Sequence, residues 1–372
     1  MRVQFKTIGV LLMVLLLQSS ILHAQDYGLP EPTGPYAIGI TSFHWVDESR
    51  EETFTPDDPD DRREVVVDVW YPATVAEGAE TAPYMPDPVA FRDGLQDAFH
   101  EISPHLDPPL DALTNMPTHS YADAPLSDEQ ASYPVLIFSH GIGASSRMYT
   151  SQTEALASHG YIVASINHPY TSAAVTFPDG RTTMLEFDFG SSLAQAAQLA
   201  ADQSFVLDQL ELLNAGEPES LFSGRLDLER VGVFGHSAGG NATALTFTSD
   251  SRFKAAINED GSYVPAARTG EITYPLMHMA SEDFSLNMRT FSNYDAPVYN
   301  LTFNGFGHTD FTDFLAWGIF PLHGTVDRAR ALEITNAYIV AFFDQALKGE
   351  PSPLLSGASA DYPEVDFQSN AP

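Results

Sequence analysis

The chain has 372 residues, 44% of them hydrophobic, with 50 acidic against 17 basic side chains, a net charge of −33 and no cysteine. That length suits one large α/β domain or two smaller ones. The charge excludes nucleic acid as a partner and disfavours anionic membranes, and a cysteine-free chain has neither disulfides nor a lipid-modified cysteine.

In chain order, Arg2 and Lys6 precede the apolar run Ile8–Leu17, which polar Gln18–Ser20 and then Leu22-His23-Ala24 follow. This pattern predicts a secretory signal peptide over residues 1–24, cut after Ala24, and a secreted or periplasmic protein. The run is too short to span a bilayer, and no later segment reaches the length required. Residues 25–62 read as an acidic N-terminal segment whose Asp57–Asp61 cluster is a solvated loop, without the spacing of a calcium hand. Glu64–Trp70 is a strand and opens the main domain, residues 63–350. The Pro-rich insertion at about 73–133 is too long for an ordinary connection. It reads equally as a lid or cleft wall and as a surface insertion without a role.

From Pro134 the pattern becomes regular. Strands are predicted at Val135–Phe138, Tyr161–Ile166, Arg230–Phe234, Ala255–Asn258, Tyr274–Met279 and Val298–Phe303. Helices are predicted up to His159, over Ser192–Leu213, over Asn241–Phe247 and over Val326–Leu347, and residues 351–372 form a C-terminal tail. Apolar strands alternating with helices predict an α/β architecture: a mainly parallel central sheet with helices on both faces and the Pro-rich insertion. In such sheets chemical groups collect just beyond the carboxyl ends of strands.

Ser237 stands there, inside Gly235-His-Ser-Ala-Gly239, between an apolar strand and an Ala-rich helix. A nucleophile on a sharp strand-to-helix turn has strained dihedrals and needs small neighbours, and the helix aims its first amides at the site. Its base should follow in sequence. His278 falls inside a strand pattern and His323 in a helix-side segment, whereas His308 occupies the Gly-rich stretch Gly305–Phe311 directly after a strand. For the acid, Asp260 and Asp283 both follow strands, and spacing does not separate them. The oxyanion hole needs two amides; the Ala238 N–H is one, and Ser139-His-Gly-Ile-Gly143 offers the Ile142 N–H as the other. Phe306, Phe311, Phe314 and Trp317 flank His308, either as cleft walls or, more commonly, as core.

Phe138-Ser-His-Gly-Ile-Gly-Ala144, Gly235-His-Ser-Ala-Gly-Gly240 and His308-Thr-Asp-Phe-Thr-Asp-Phe314 together resemble the plasma (type II) platelet-activating-factor acetylhydrolase group, which includes bacterial secreted esterases. The resemblance extends over residues 64 to 347. It implies that the acid lies in Asn258-Glu-Asp-Gly261 and so favours Asp260, and it places the oxyanion role on Ile142 and Ala238. It implies an α/β-hydrolase fold and a serine ester hydrolase, which the predicted signal peptide would make a secreted one; the triad needs neither metal nor organic cofactor, and the histidines lack zinc-ligand spacing. Its substrates would be short-acyl esters or phospholipids with short or oxidised sn-2 chains. A cutinase-like polyesterase is the alternative enzyme, and a catalytically silent binding protein on the same fold is the alternative of another class. A monomer is expected.

Overall fold

The computed structural model describes residues 28–100, 107–186, 192–262, 272–282, 294–317 and 324–371. The expected signal peptide, Asp283 and His323 lie outside the described residues.

A ten-stranded sheet organises the chain. Its strands are β1 (Ala37–Glu51), β2 (Arg62–Ala73), β3 (Ser120–Ala122), β4 (Tyr133–Ser139), β5 (Ile162–Asn167), β8 (Leu226–His236), β9 (Phe253–Glu259), β10 (Leu276–Ser281), β11 (Val298–Phe303) and β12 (Val365–Ser369); β6 (Ala174–Thr176) and β7 (Thr182–Met184) make a separate hairpin. The order is β12-β11-β10-β9-β8-β4-β5-β2-β1-β3. The centre, from β11 through β5, is parallel. Strands β2 and β12 join it antiparallel at either side. The principal helices are α1 (Pro88–Phe99), α2 (Thr150–Ser158), α3 (Ser192–Ala215), α4 (Ala238–Ser249) and α5 (Arg328–Phe343).

Strand β4 shows why this sequence makes a two-faced sheet. Leu136 and Phe138 join the core that α2 and α5 cover. Tyr133, Val135 and Ile137 join the core on the other face, under α3. Period-2 alternation with apolar residues on both faces is the signature of a strand buried on both sides. The predicted central strands and helices all occur, with ends shifted by a few residues.

Two regions hold more than their composition suggests. The acidic N-terminal segment carries the 15-residue β1, whose Ile38 and Ile40 are buried. The C-terminal tail adds β12 to the sheet edge. Both pair with a neighbouring strand, so distant partners, not local periodicity, make them strands. The 73–133 insertion is part of the core: Tyr84, Leu95 and Leu113 are fully buried, and the Phe91 ring meets Trp317 edge-on at 6.2 Å.

Candidate active site

The carboxyl ends of β8, β9 and β10 and the loop after β11 meet at one place. Strand β8 ends at His236, and α4 begins at Ala238, leaving Ser237 alone on the turn with φ 56° and ψ −114°. A non-glycine residue in that region is strained and persists only where its surroundings enforce it. The enforcement is visible: the Ser237 amide donates to Glu259 O at 2.8 Å, and its carbonyl takes the Asn241 amide at 3.0 Å. Gly239 is required by approach, because a Cβ there would stand 1.9 Å from Ser139 O.

His308 begins a short 3-10 turn, His308–Phe311, beyond β11. Its Nε2 lies 2.9 Å from Ser237 Oγ and its Nδ1 2.6 Å from Asp260 Oδ2. With the Nδ1 proton directed at the carboxylate, Nε2 is the bare nitrogen that accepts from the serine hydroxyl. Asp260 follows β9, also at positive φ (51°), and is 1% exposed. Ser281, the last residue of β10, orients it: the Ser281 amide donates to Oδ1 at 2.6 Å and its hydroxyl to Oδ2 at 2.9 Å. The structure thus brings together Ser237, His308 and Asp260. His278 is fully buried inside β10, as its strand pattern suggested.

Ala238 opens α4, so its amide is among those with no partner inside the helix, and it points where the helix dipole favours negative charge. The other candidate donor is in the loop after β4. A Cβ on Gly141 would come within 3.1 Å of Ser237 Cβ, which sets this loop against the serine. The amides of Gly143 and Ala144 are engaged by Thr171 O at 2.8 Å and Gly141 O at 3.1 Å, respectively. The Ile142 amide makes no turn or loop hydrogen bond among the described residues.

Residues that the sequence did not single out complete the site. The Gly141 amide donates to Tyr149 Oη at 3.2 Å, Tyr149 lies 2.8 Å from His236 Nδ1, and His236 Nε2 lies 2.8 Å from His308 O. A carbonyl only accepts, so Nε2 carries the proton and Nδ1 accepts from the tyrosine hydroxyl. Burial, and then the neighbouring His308, push the His236 imidazole down to about 3, so it stays neutral and keeps one tautomer. This chain ties the loop after β4 to the His308 loop. Beside it, Glu259 is fully buried with Oε1 unpartnered, and burial raises its carboxyl to about 8. No local pattern marks Tyr149 or Glu259. His236 sits within the nucleophile motif, yet only its neighbours reveal its role.

Phe306, Phe311, Phe314 and Trp317 are buried and belong to the core. Among the described residues no helix is long and apolar enough to cross a membrane.

A family model described as platelet-activating factor acetylhydrolase, isoform II, matches residues 21–188 and 209–351. The platelet-activating factor acetylhydrolase of Gallus gallus is 24% identical over 376 residues, covering 87% of this chain and 84% of that protein. That of Bos taurus is 28% identical, over 61% of this chain and 63% of its own length. A probable 1-alkyl-2-acetylglycerophosphocholine esterase of Arthroderma benhamiae is 27% identical, over 63% and 66% of the two chains. Among solved structures, the ferulic acid esterase from Streptomyces cinnamoneus superposes with a TM-score of 0.77 at 30% identity, covering 92% of this chain and 99% of that one.

Proposed function

The chain belongs to the platelet-activating factor acetylhydrolase, isoform II, family and is a carboxylic ester hydrolase, and from that premise we propose that it is a secreted serine esterase using Ser237, His308 and Asp260. One observation carries this reading: the hydrogen-bonded series Ser237 Oγ, His308 Nε2, His308 Nδ1 and Asp260 Oδ2, with links of 2.9 and 2.6 Å, on a strained turn at a helix N-terminus.

In the reaction, Ser237 Oγ attacks the ester carbonyl carbon as its proton passes to His308 Nε2. The carbonyl oxygen becomes an oxyanion held by the Ile142 and Ala238 amides. Asp260 holds the His308 tautomer and stabilises the imidazolium. The tetrahedral intermediate collapses, the alkoxide leaves with the proton from Nε2, and an acyl-Ser237 ester remains. Water, deprotonated by His308, attacks that ester; the proton returns to Ser237 Oγ and the carboxylic acid departs.

The substrates we propose are short-acyl esters, including phospholipids with a short or oxidised sn-2 chain. The 2-acetyl ester in the name of the Arthroderma relative supports this class. The Streptomyces neighbour, similar over 99% of its length, favours a second reading, an ester of ferulic acid. A panel of p-nitrophenyl esters of increasing acyl length, a phospholipid acetylated at sn-2, and methyl ferulate separates them. A kcat/KM that falls with chain length and is high on the acetylated phospholipid supports the first reading. Preference for methyl ferulate overturns it, and hydrolysis of a polyester film would revive the polyesterase. No fluorophosphonate adduct at Ser237 would leave only a silent binding fold. Intact-mass analysis of the exported protein tests secretion, with Gln25 expected as its first residue.

A further inference from the structure

The molecule contains a second serine, histidine and aspartate in the same order of hydrogen bonds. Ser139 Oγ lies 3.0 Å from His168 Nε2, and His168 Nδ1 lies 2.8 Å from Asp202 Oδ2. All three are 0% exposed, so no substrate reaches them. We propose that this set, anchored by Arg63, is a positioning relay that fixes the loop after β4 so that the Ile142 amide faces the oxyanion. The inference rests on the reading of Ser237 as nucleophile and Ile142 as oxyanion donor.

Protonation states follow from the partners. Asp202, on α3, receives Arg63 Nη2 at 2.6 Å and pairs with Arg50 Nη2 at 2.8 Å. Arg63, on β2, also reaches Glu52 Oε2 at 2.8 Å and Pro169 O at 3.3 Å. Burial opposes the charge on Asp202, but Arg63 and the His168 hydrogen bond prevail and hold the carboxyl well below its usual range. At His168 burial outweighs the carboxylate and lowers the imidazole from its usual value. The ring is therefore neutral, with its proton on Nδ1 toward Asp202. Its bare Nε2 accepts from the Ser139 hydroxyl, and Gln203 Nε2 donates to Ser139 Oγ at 3.0 Å. The last side chain of β4 is thus aimed by β2, α3 and the loop after β5.

The constraint continues into the loop. His140 Nδ1 donates to Gly141 O at 2.7 Å, while its Nε2 lies 2.7 Å from Ser172 Oγ and accepts the His168 amide at 3.3 Å. Burial, and then His168, push His140 down to about 3, so it too is neutral with one tautomer. Residues 139, 140, 141, 143 and 144 each have a fixed hydrogen bond, and Ile142 sits between them with its amide unspent. A relay of this kind costs desolvation for every buried polar group, which makes sense where a loop must be held to a fraction of an ångström.

The test is Ser139→Ala, which removes the link between relay and loop while leaving the Arg63–Asp202 pair intact. We expect kcat per titrated active site to fall by about tenfold with KM unchanged, since small displacements of reacting groups cost factors of 10 to about 10². Affinity for a trifluoromethyl ketone, whose adduct with Ser237 carries an oxyanion, should fall by a similar factor. Ser139→Thr retains the hydroxyl and should recover most of kcat. His168→Asn, which keeps a donor toward Asp202 but loses Nε2, should show the same pattern and add little in the double variant; it carries the test if Ser139→Ala does not fold. A lowered Tm with kcat and ketone affinity retained would overturn the relay, as would a loss expressed in KM. Ser237→Ala runs alongside. Hydrolysis surviving there removes the serine-esterase reading, whereas an inert Ser237→Ala beside a fully active Ser139→Ala removes the relay alone.

Discussion

The Ser237–His308–Asp260 and Ser139–His168–Asp202 sets have nearly the same links, 2.9 and 2.6 Å against 3.0 and 2.8 Å. They differ in two other respects. The His308 side chain is 37% exposed, whereas the whole second set is sealed. Asp260 has His308 as its only ion-pair partner among the described residues, whereas Asp202 is shared between His168 and two arginines. A carboxylate already claimed by guanidinium has little left to stabilise an imidazolium, and a buried imidazole resists charging. Hydrogen-bond geometry alone therefore does not set the proposed nucleophile apart. Access and an unclaimed counter-charge do, and the strained turn under Ser237, with no equivalent at Ser139 on the end of β4, adds a third distinction.

The sharpest way to break this contrast is at the serines. Ser237→Ala should lower kcat by 10⁴ or more on the order of magnitude seen for such nucleophiles, and a fluorophosphonate should label Ser237 and not Ser139. A peptide-mapped adduct at Ser139 would erase the distinction. Next is the acid: Asp260→Asn reverses the donor that faces His308 Nδ1, with an expected loss in kcat of about 10⁴. Asp283→Asn should retain activity within about threefold, as expected of a substitution outside the reacting groups; the reverse ranking would transfer the role to Asp283. Smaller is Tyr149→Phe, which leaves the Gly141 amide and His236 Nδ1 without their partner. Unpaired buried polar groups cost about 1–3 kcal/mol, so kcat should drop by about tenfold as the two loops lose their common tie. An unchanged kcat would make the His236 chain a stability feature only.

Much of this was legible in the sequence because it is local. Gly235-His-Ser-Ala-Gly239, His140-Gly-Ile-Gly143 and Gly307-His308 each declare a turn after an apolar strand, and the parallel centre of the sheet follows from alternating elements, whereas the order of its strands does not. Asp260 was legible only by resemblance, since Asp283 has an equally good local position. What orients it, Ser281, comes from the end of the neighbouring strand, a contact 21 residues away that no spacing announces. The second Ser-His-Asp set was invisible for the same reason. Its members lie on β4, after β5 and on α3, and although Ser139 stands in a motif the resemblance rests on, nothing in the sequence joins it to His168 and Asp202. Strand β1 was hidden because its apolar residues are interrupted by Gly39, Thr41, Ser42 and His44 and keep no clean alternation, and only pairing with β2 reveals it.

Glu259 gives the finest test of the idea that counter-charge decides a buried carboxyl's state. It is as buried as Asp202, but its side-chain partner is Gln152 Nε2 at 3.2 Å, not a guanidinium, and the charge of Asp260 lies beside it. Burial, and then Asp260 against the opposing Gln152 bond, raise it from 4.5 to about 8, whereas Arg63 overcomes burial to lower Asp202. The two signs have opposite consequences by linkage. Where the folded state holds a proton that the unfolded chain releases at 4.5, stability is fully present below that pH and is lost as pH rises toward about 8. The lowered Asp202 contributes stability above 3.8 that is lost only in acid. Glu259→Gln keeps a carbonyl for Gln152 and removes the titration. Its Tm should therefore fall less than that of the parent between pH 5 and pH 8, by a few degrees, since 1 kcal/mol moves Tm by about 2–4 °C in a domain of roughly 150–250 residues and by less in a larger one. Asp313, raised by burial to about 7, keeps part of the slope in the variant. Parallel Tm curves for parent and variant would mean that Glu259 is ionised in the fold, and that burial beside Asp260 without an arginine is not enough to keep a carboxyl neutral.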